Sequence, residues 1–175
     1  MSSEPNETNR DDDQSYSRAL LKPLEAEVLL DAVCQVTGVP EKFAGIPAGY
    51  RAIEMWDNGL SHYFLKVFGR PLRTSACVCE RSPDASVGQA LHVMNSPEIH
   101  AKLVDDGGTI AESVTRNRSD GALVDELYIE FYGRYPGEAE RHRAIEYLAA
   151  ASDRRKAAED LAWSMLCSIE FVFRH

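Results

Sequence analysis

Two cysteines separated by one residue form the most distinctive chemical feature of this sequence. Cys77 and Cys79 are followed directly by Glu80 and Arg81, and these four residues are the candidate redox or functional site. In an extended segment the two cysteine Cα atoms would lie about 6.6 Å apart, near the upper limit for a disulfide. We interpret the pair first as two ordinary thiols, one packed and one partly exposed. A redox or disulfide role is the second interpretation. Metal binding is the third, because no second close pair completes a four-ligand zinc site.

The other residue types that could do chemistry form no recognised motif. The five histidines include no H-E-x-x-H pair, and no serine has the G-x-S-x-G context of an exposed nucleophile. A C-x-x-C-H sequence is also missing, so we expect no haem attachment and no cofactor in this chain. Cys34 and Cys167 fall in or beside apolar helical stripes and are predicted to be core thiols. The sequence therefore predicts no catalytic residue and no metal ligand, and it favours a role other than catalysis.

The elements that must position these residues are predicted to be helices, about six or seven of them, in an irregular all-α domain. Apolar residues recur at helical spacing, and glycine, proline and N-cap residues mark the ends. The Cys77 pair would lie in a turn before the helix that contains Val87. The predicted helices are Ala26–Val36 (ended by Gly38), Ser61–Phe68, Val87–Met94, one with Ser96 as N-cap, one capped by Asp120 and carrying Val124 to Phe131, Glu138–Ala150, and a last stripe from Ala158 to Ile169.

A long segment rich in glycine and proline, residues 38–59, separates the first two predicted helices. Structureless loops of this length are uncommon in compact domains unless they are functional or held down by packing. We expect its apolar side chains to hold it against the helices. These are Phe43, Ile46, Tyr50, Ile53, Met55 and Trp56.

The charge distribution excludes several classes of partner. The chain carries 28 acidic and 19 basic residues, a formal net charge of −9, so a general nucleic-acid or anionic-membrane binder is not expected. No apolar run approaches the roughly 18–20 residues of a membrane span. Residues 1–19 are predicted to be a disordered acidic tail, with a single helical domain over 20–175. The tail lacks the basic and apolar regions of a signal peptide, and the sequence leaves the compartment open.

Several segments together resemble a planctomycete-type C-terminal domain of unknown function, the DUF1553 or PSD1 family. The likeness covers about residues 20–175. The segments that carry it are Leu29 to Gly38, Phe68-Gly69-Arg70-Pro71, Cys77 to Arg81, Gln89 to His92, Glu126-Leu127-Tyr128, Arg134-Tyr135-Pro136, Glu159 to Trp163 and Ser168 to Phe171.

The resemblance implies a place in a larger protein. Such domains usually end a longer exported chain, after a second uncharacterised domain and often a cytochrome-c-like module. We therefore expect a non-catalytic interaction or structural module that belongs to, or is separated from, such a protein. Its partner would be another protein or the missing upstream domain. The alternative is a redox-active or metal-binding protein that uses Cys77 and Cys79.

Overall fold

The computed structural model describes residues 6–10, 12, 15, 17, 22–55, 62–70, 95–117 and 119–174. Within these residues 61% of the chain is helical, and the all-α prediction is confirmed. The described ranges contain eight α-helices, one 3₁₀ helix and two short strands. In chain order they are β1 Lys22–Pro23, α1 Ala26–Thr37, the 3₁₀ helix Ala52–Glu54, α2 Tyr63–Val67, α3 Pro97–Leu103, α4 Thr109–Arg116, α5 Asp120–Tyr132, α6 Glu138–Ala150, α7 Arg154–Leu166, α8 Ile169–Val172 and β2 Phe173–Arg174.

Helix α7 lies at the centre of the packing and contacts α3, α4, α5, α6 and α8. Its buried face carries Ala157, Ala158 and Ala162, whose small side chains allow the neighbouring helices to approach closely. Helix α1 forms a second centre, against which the 3₁₀ helix, α2, α3 and α4 pack. Leu29 from α1 and Leu123 from α5 belong to the same buried cluster, so one core joins the two centres.

The helix ends follow their local sequence. Gly38 and Gly133 end α1 and α5 in the left-handed conformation, with φ of 70° and 68°, where a side chain would be strained. Ser96 caps α3 as predicted, since its Oγ accepts from the Ile99 N–H. The predicted cap of α5 was wrong by one residue. Ser119 is the N-cap, while the carboxylate of Asp120 accepts a hydrogen bond from Arg154.

Helix α6 has the predicted bounds, Glu138–Ala150. Three other expectations differ from the structure. Helix α4 was not predicted, the stripe from Ala158 does not reach Ile169 because α7 ends at Leu166, and Tyr50 and Ile53 are exposed rather than packed. Phe43 and Met55 do hold the long segment against the core. Trp56 and the predicted helix Val87–Met94 lie outside the described residues.

Two residues at each end of the main described part form an antiparallel strand pair. Lys22 lies opposite Arg174 and Pro23 opposite Phe173. The N–H of Leu24 adds a hydrogen bond of 2.9 Å to the Val172 oxygen. The chain around residue 22 is therefore joined directly to the chain around residue 174, where α8 ends.

Candidate functional site

The candidate residues taken from the sequence, Cys77, Cys79, Glu80 and Arg81, lie outside the described residues. Their redox or metal-binding role stays a prediction. In the described ranges no group of three His, Cys, Asp or Glu side chains could hold a metal ion. No helix in those ranges is both long enough and apolar enough to cross a membrane.

The two described cysteines have the properties of packed thiols. Cys34 and Cys167 are both free and half-buried, and Cys34 packs against the core. Burial raises the pKa of each thiol above its ordinary value. Because the thiolate is the reactive form, a raised pKa makes these side chains poor nucleophiles.

The best-defined polar site is built around Arg134, which uses all five of its N–H donors. Nε and Nη2 donate to the two carboxylate oxygens of Glu170, at 2.6 and 2.8 Å. Nη1 and Nη2 donate to the carboxylate oxygens of Glu140, each at 2.9 Å. The second Nη1 donor reaches the backbone oxygen of Tyr135 at 3.1 Å. Two bidentate pairs and one carbonyl therefore saturate the guanidinium.

Three helix termini bring these groups together. Arg134 follows Gly133, which ends α5, while Glu140 and Glu170 lie in the first turns of α6 and α8. Acidic side chains are favourable in the first turn because the helix N-terminus carries partial positive charge. The Arg134 guanidinium also lies 5.4 Å from the ring centroid of Tyr128 and 5.5 Å from that of Tyr132. The site therefore fastens α8 and α6 to the end of α5.

The electrostatics of the site are dominated by the carboxylates and the cation between them. The Arg134 guanidinium, helped by the Gly137 N–H, lowers the pKa of Glu140 from 4.5 to about 2. The hydrogen bonds from Arg134 to Glu170, and then to Glu140, raise the pKa of Arg134 above its ordinary value. Burial raises the pKa of Tyr128, and the negative charge of Glu140 raises it further. At neutral pH Arg134 and Glu140 are therefore ionised.

Two exposed apolar side chains belong to residues that are adjacent in sequence to this ion pair. Tyr135 follows Arg134 directly and is 71% exposed. Ile169 precedes Glu170 directly and is 62% exposed. Since Arg134 and Glu170 are hydrogen-bonded to each other, Tyr135 and Ile169 are each one residue away from the same ion pair. We call this region, made of Arg134, Tyr135, Glu140, Ile169 and Glu170, the Arg134 surface.

A second polar cluster is buried near α1 and is centred on Lys102 of α3. Its ammonium donates to the backbone oxygens of Val39 and Pro40, at 3.0 and 3.3 Å, and lies 3.2 Å from Glu41 Oε2. Nε2 of His62 is 3.9 Å from Glu41 Oε1, which is longer than a direct hydrogen bond. His62 and then Lys102 lower the pKa of Glu41 from 4.5 to about 2, against the opposing effect of burial. We call these residues the Lys102 cluster.

Neither the Arg134 surface nor the Lys102 cluster was predicted from the sequence. Arg134, Tyr135 and Glu170 were named only within segments that carry the family resemblance, and Ile169 was also placed at the end of the last apolar stripe. Arg134 and Glu170 are 36 residues apart in sequence, and no local spacing predicts that they meet. The sequence does mark the two helix ends that position these residues, because Gly133 ends α5 and Ser168 caps the start of α8.

Comparison with known proteins gives one positive result. The family described as "PSD1: Protein of unknown function (DUF1553)" matches residues 1–148, a range that begins earlier and ends earlier than the 20–175 suggested by the resemblance. Neither the curated proteins nor the solved structures include a match to the chain. Because the family model covers more than half of the sequence, the chain belongs to the DUF1553 family of proteins of unknown function.

Proposed function

We propose that the chain is a non-catalytic helical interaction module and that the Arg134 surface is its docking site for another protein. The observation that carries the proposal is a pair of exposed apolar side chains, Tyr135 and Ile169. They are adjacent in sequence to Arg134 and Glu170, which form a bidentate ion pair. Tyrosine and arginine are enriched among the residues that contribute most to protein interfaces. Large apolar side chains held next to polar groups are typical of such a surface.

The Arg134 surface is also held rigidly. Four of the five hydrogen bonds of Arg134 fix the side chains of Glu140 and Glu170. The hydroxyl of Tyr132 donates to Ser168 Oγ at 3.0 Å, beside Ile169. A preorganised surface loses little conformational entropy when a partner binds, so more of the contact free energy appears as affinity.

We infer that the partner is the second uncharacterised domain that the family resemblance places in a larger exported protein. In that setting the two domains would be joined in one chain or would associate after separation. Linking them raises their effective concentration, so a modest affinity between the domains is sufficient.

The experiment measures binding between this chain and the second uncharacterised domain from a family member, by titration calorimetry. We expect binding that Tyr135→Ser with Ile169→Ser weakens by more than tenfold. The matched control is Tyr63→Ser with Ile53→Ser, which removes side chains that are 65% and 56% exposed on the α1 side of the molecule. Failure of the two domains to bind, or an equal loss in both double variants, would overturn the proposal.

A further inference from the structure

We infer that the Arg134 surface selects a partner whose apolar contact residues are flanked by lysine or arginine side chains. The inference rests on the proposed function, because it assumes docking at this surface, and it adds the chemistry of the partner. Its basis is the number of hydrogen-bond donors and acceptors that the surface leaves for an incoming protein.

The surface has no arginine donor to offer. All five N–H groups of Arg134 already face Glu140, Glu170 and the Tyr135 oxygen. An incoming carboxylate or phosphate would have to displace one of these carboxylates from the guanidinium. The arginine therefore does not form an anion site, although an arginine at a surface is often read as one.

The carboxylates, in contrast, retain acceptor capacity. An ionised carboxylate accepts about four hydrogen bonds. Glu170 accepts one at each oxygen from Arg134. Glu140 accepts two from Arg134 and one from the Gly137 N–H. Each carboxylate side chain is about one-third exposed, so part of each remains accessible to an incoming donor.

Acidic side chains outnumber basic ones in this region. Glu138, in the first turn of α6, is exposed. Glu138, Glu140 and Glu170 supply three negative charges. Arg134 and Arg143 supply two positive charges, and Arg143 is near enough to lower the pKa of Glu140. The surface thus combines an apolar pair with a surplus of negative charge, and cationic donors complement both properties.

The same count argues against other occupants. A second copy of the chain would bring an equally acidic surface against this one in a symmetric pair, within a protein of net charge −9. A nucleic acid or an anionic lipid surface would face the same repulsion. A protein with a basic rim around an apolar centre is therefore the occupant that the Arg134 surface favours.

The test uses two amphipathic helical peptides that share one Leu- and Tyr-containing face. One carries Lys and Arg beside that face and the other carries Glu. Fluorescence anisotropy with the full chain should detect binding of the cationic peptide alone. Its affinity should fall about tenfold between 50 and 300 mM salt, because exposed charges are screened. Equal affinity for the two peptides would overturn the inference.

Charge variants test whether the preference for a cationic peptide arises at the Arg134 surface. Glu138→Lys should weaken binding of the cationic peptide about fivefold at 50 mM salt. The matched control is Glu98→Lys, which changes an exposed glutamate in the first turn of α3 and should leave the affinity unchanged. Equal effects of the two variants would show that only the overall charge matters, and would overturn the inference.

The two proposals fail separately. Suppose that binding of the second family domain depends on Tyr135 and Ile169 but not on salt. That result would support docking at this surface and would contradict the inference that the partner is cationic. If the cationic peptide binds but Tyr135→Ser with Ile169→Ser has no effect on it, both the docking surface and this inference fall.

Discussion

The Arg134 surface and the Lys102 cluster are built from the same parts and differ in their exposure to water. Each has one cation between carboxylate and carbonyl oxygens, and in each a glutamate has its pKa lowered to about 2. The side chain of Arg134 is 39% exposed, whereas that of Lys102 is 10% exposed. Solvent screens an exposed pair, so its contribution to stability is small. A buried charge that loses its partner is much more costly. We therefore expect the Lys102 cluster to contribute more to stability than the Arg134 surface, for which docking is the proposed role.

Removing the buried cation should have the largest effect on stability. Lys102→Met keeps much of the apolar stem but removes the ammonium group that pairs with Glu41 and donates to two backbone oxygens. We expect the free energy of unfolding, measured by urea denaturation, to fall by about 3 kcal/mol.

A double variant separates lost charge pairing from lost packing. Glu41→Gln in the Lys102→Met background removes the charge that Lys102→Met leaves behind. It should therefore be less destabilising there than in the wild-type chain, because the two residues interact. Strictly additive losses would mean that the two side chains do not stabilise each other.

The pH dependence of stability should differ between the two glutamates. Each has a folded-state pKa near 2 and an ordinary value of 4.5. The stabilisation from each is therefore fully present above pH 4.5 and is lost as the pH falls towards 2. We expect Glu41→Gln to remove about 2 kcal/mol of the stability difference between pH 6 and pH 2.5, after allowing for its partial exposure.

Glu140→Gln should remove a smaller part of the stability difference between pH 6 and pH 2.5. Glu140 is more exposed to solvent than Glu41, and solvent screens its ion pair. Thermal unfolding followed by circular dichroism between pH 2.5 and 6 compares the two variants with the wild-type chain. A larger effect of Glu140→Gln than of Glu41→Gln would contradict the expectation that the Lys102 cluster contributes more to stability.

The smallest effect on stability is expected at Arg134. Lysine has three donors and cannot make two bidentate pairs. Arg134→Lys should lower the free energy of unfolding by about 1 kcal/mol, and it should speed amide hydrogen exchange at Phe171 and Val172 in α8. Arg141→Lys is the matched control, since Arg141 makes one bidentate pair with Asp125 and is distant from α8 in sequence. Faster exchange in α8 for both variants would show that the effect is not specific to the Arg134 surface.

Local signals predicted the elements well where a helix has clear ends and an unbroken apolar stripe. Helix α6 starts after Pro136 and Gly137 and was found with its predicted bounds. Helix α4 was missed because polar residues interrupt its stripe. Ser113 in that helix is fully buried, since its hydroxyl donates to Glu126 of α5 at 2.9 Å. A sequence pattern treats such a serine as a surface residue.

The two polar sites depend on partners that are distant in sequence. Lys102 is buried because it reaches Val39 and Pro40, more than 60 residues earlier. Lysine is otherwise among the residues that are rarely buried, so no reading of α3 alone would place it inside. The exposure of Ile169 was missed for a related reason. Its spacing continues the stripe of α7, but the chain turns at Cys167 and Ser168 before Ile169 begins α8.

The strand pair β1–β2 has a consequence for the order of folding. It joins residues that are about 150 positions apart, and the entropy of closing so long a loop must be offset by contacts that already exist. The packing of α5, α6 and α7 needs only short connections and can form early. We therefore expect the strand pair to form last, and to fix the position of α8 after the other helices have packed.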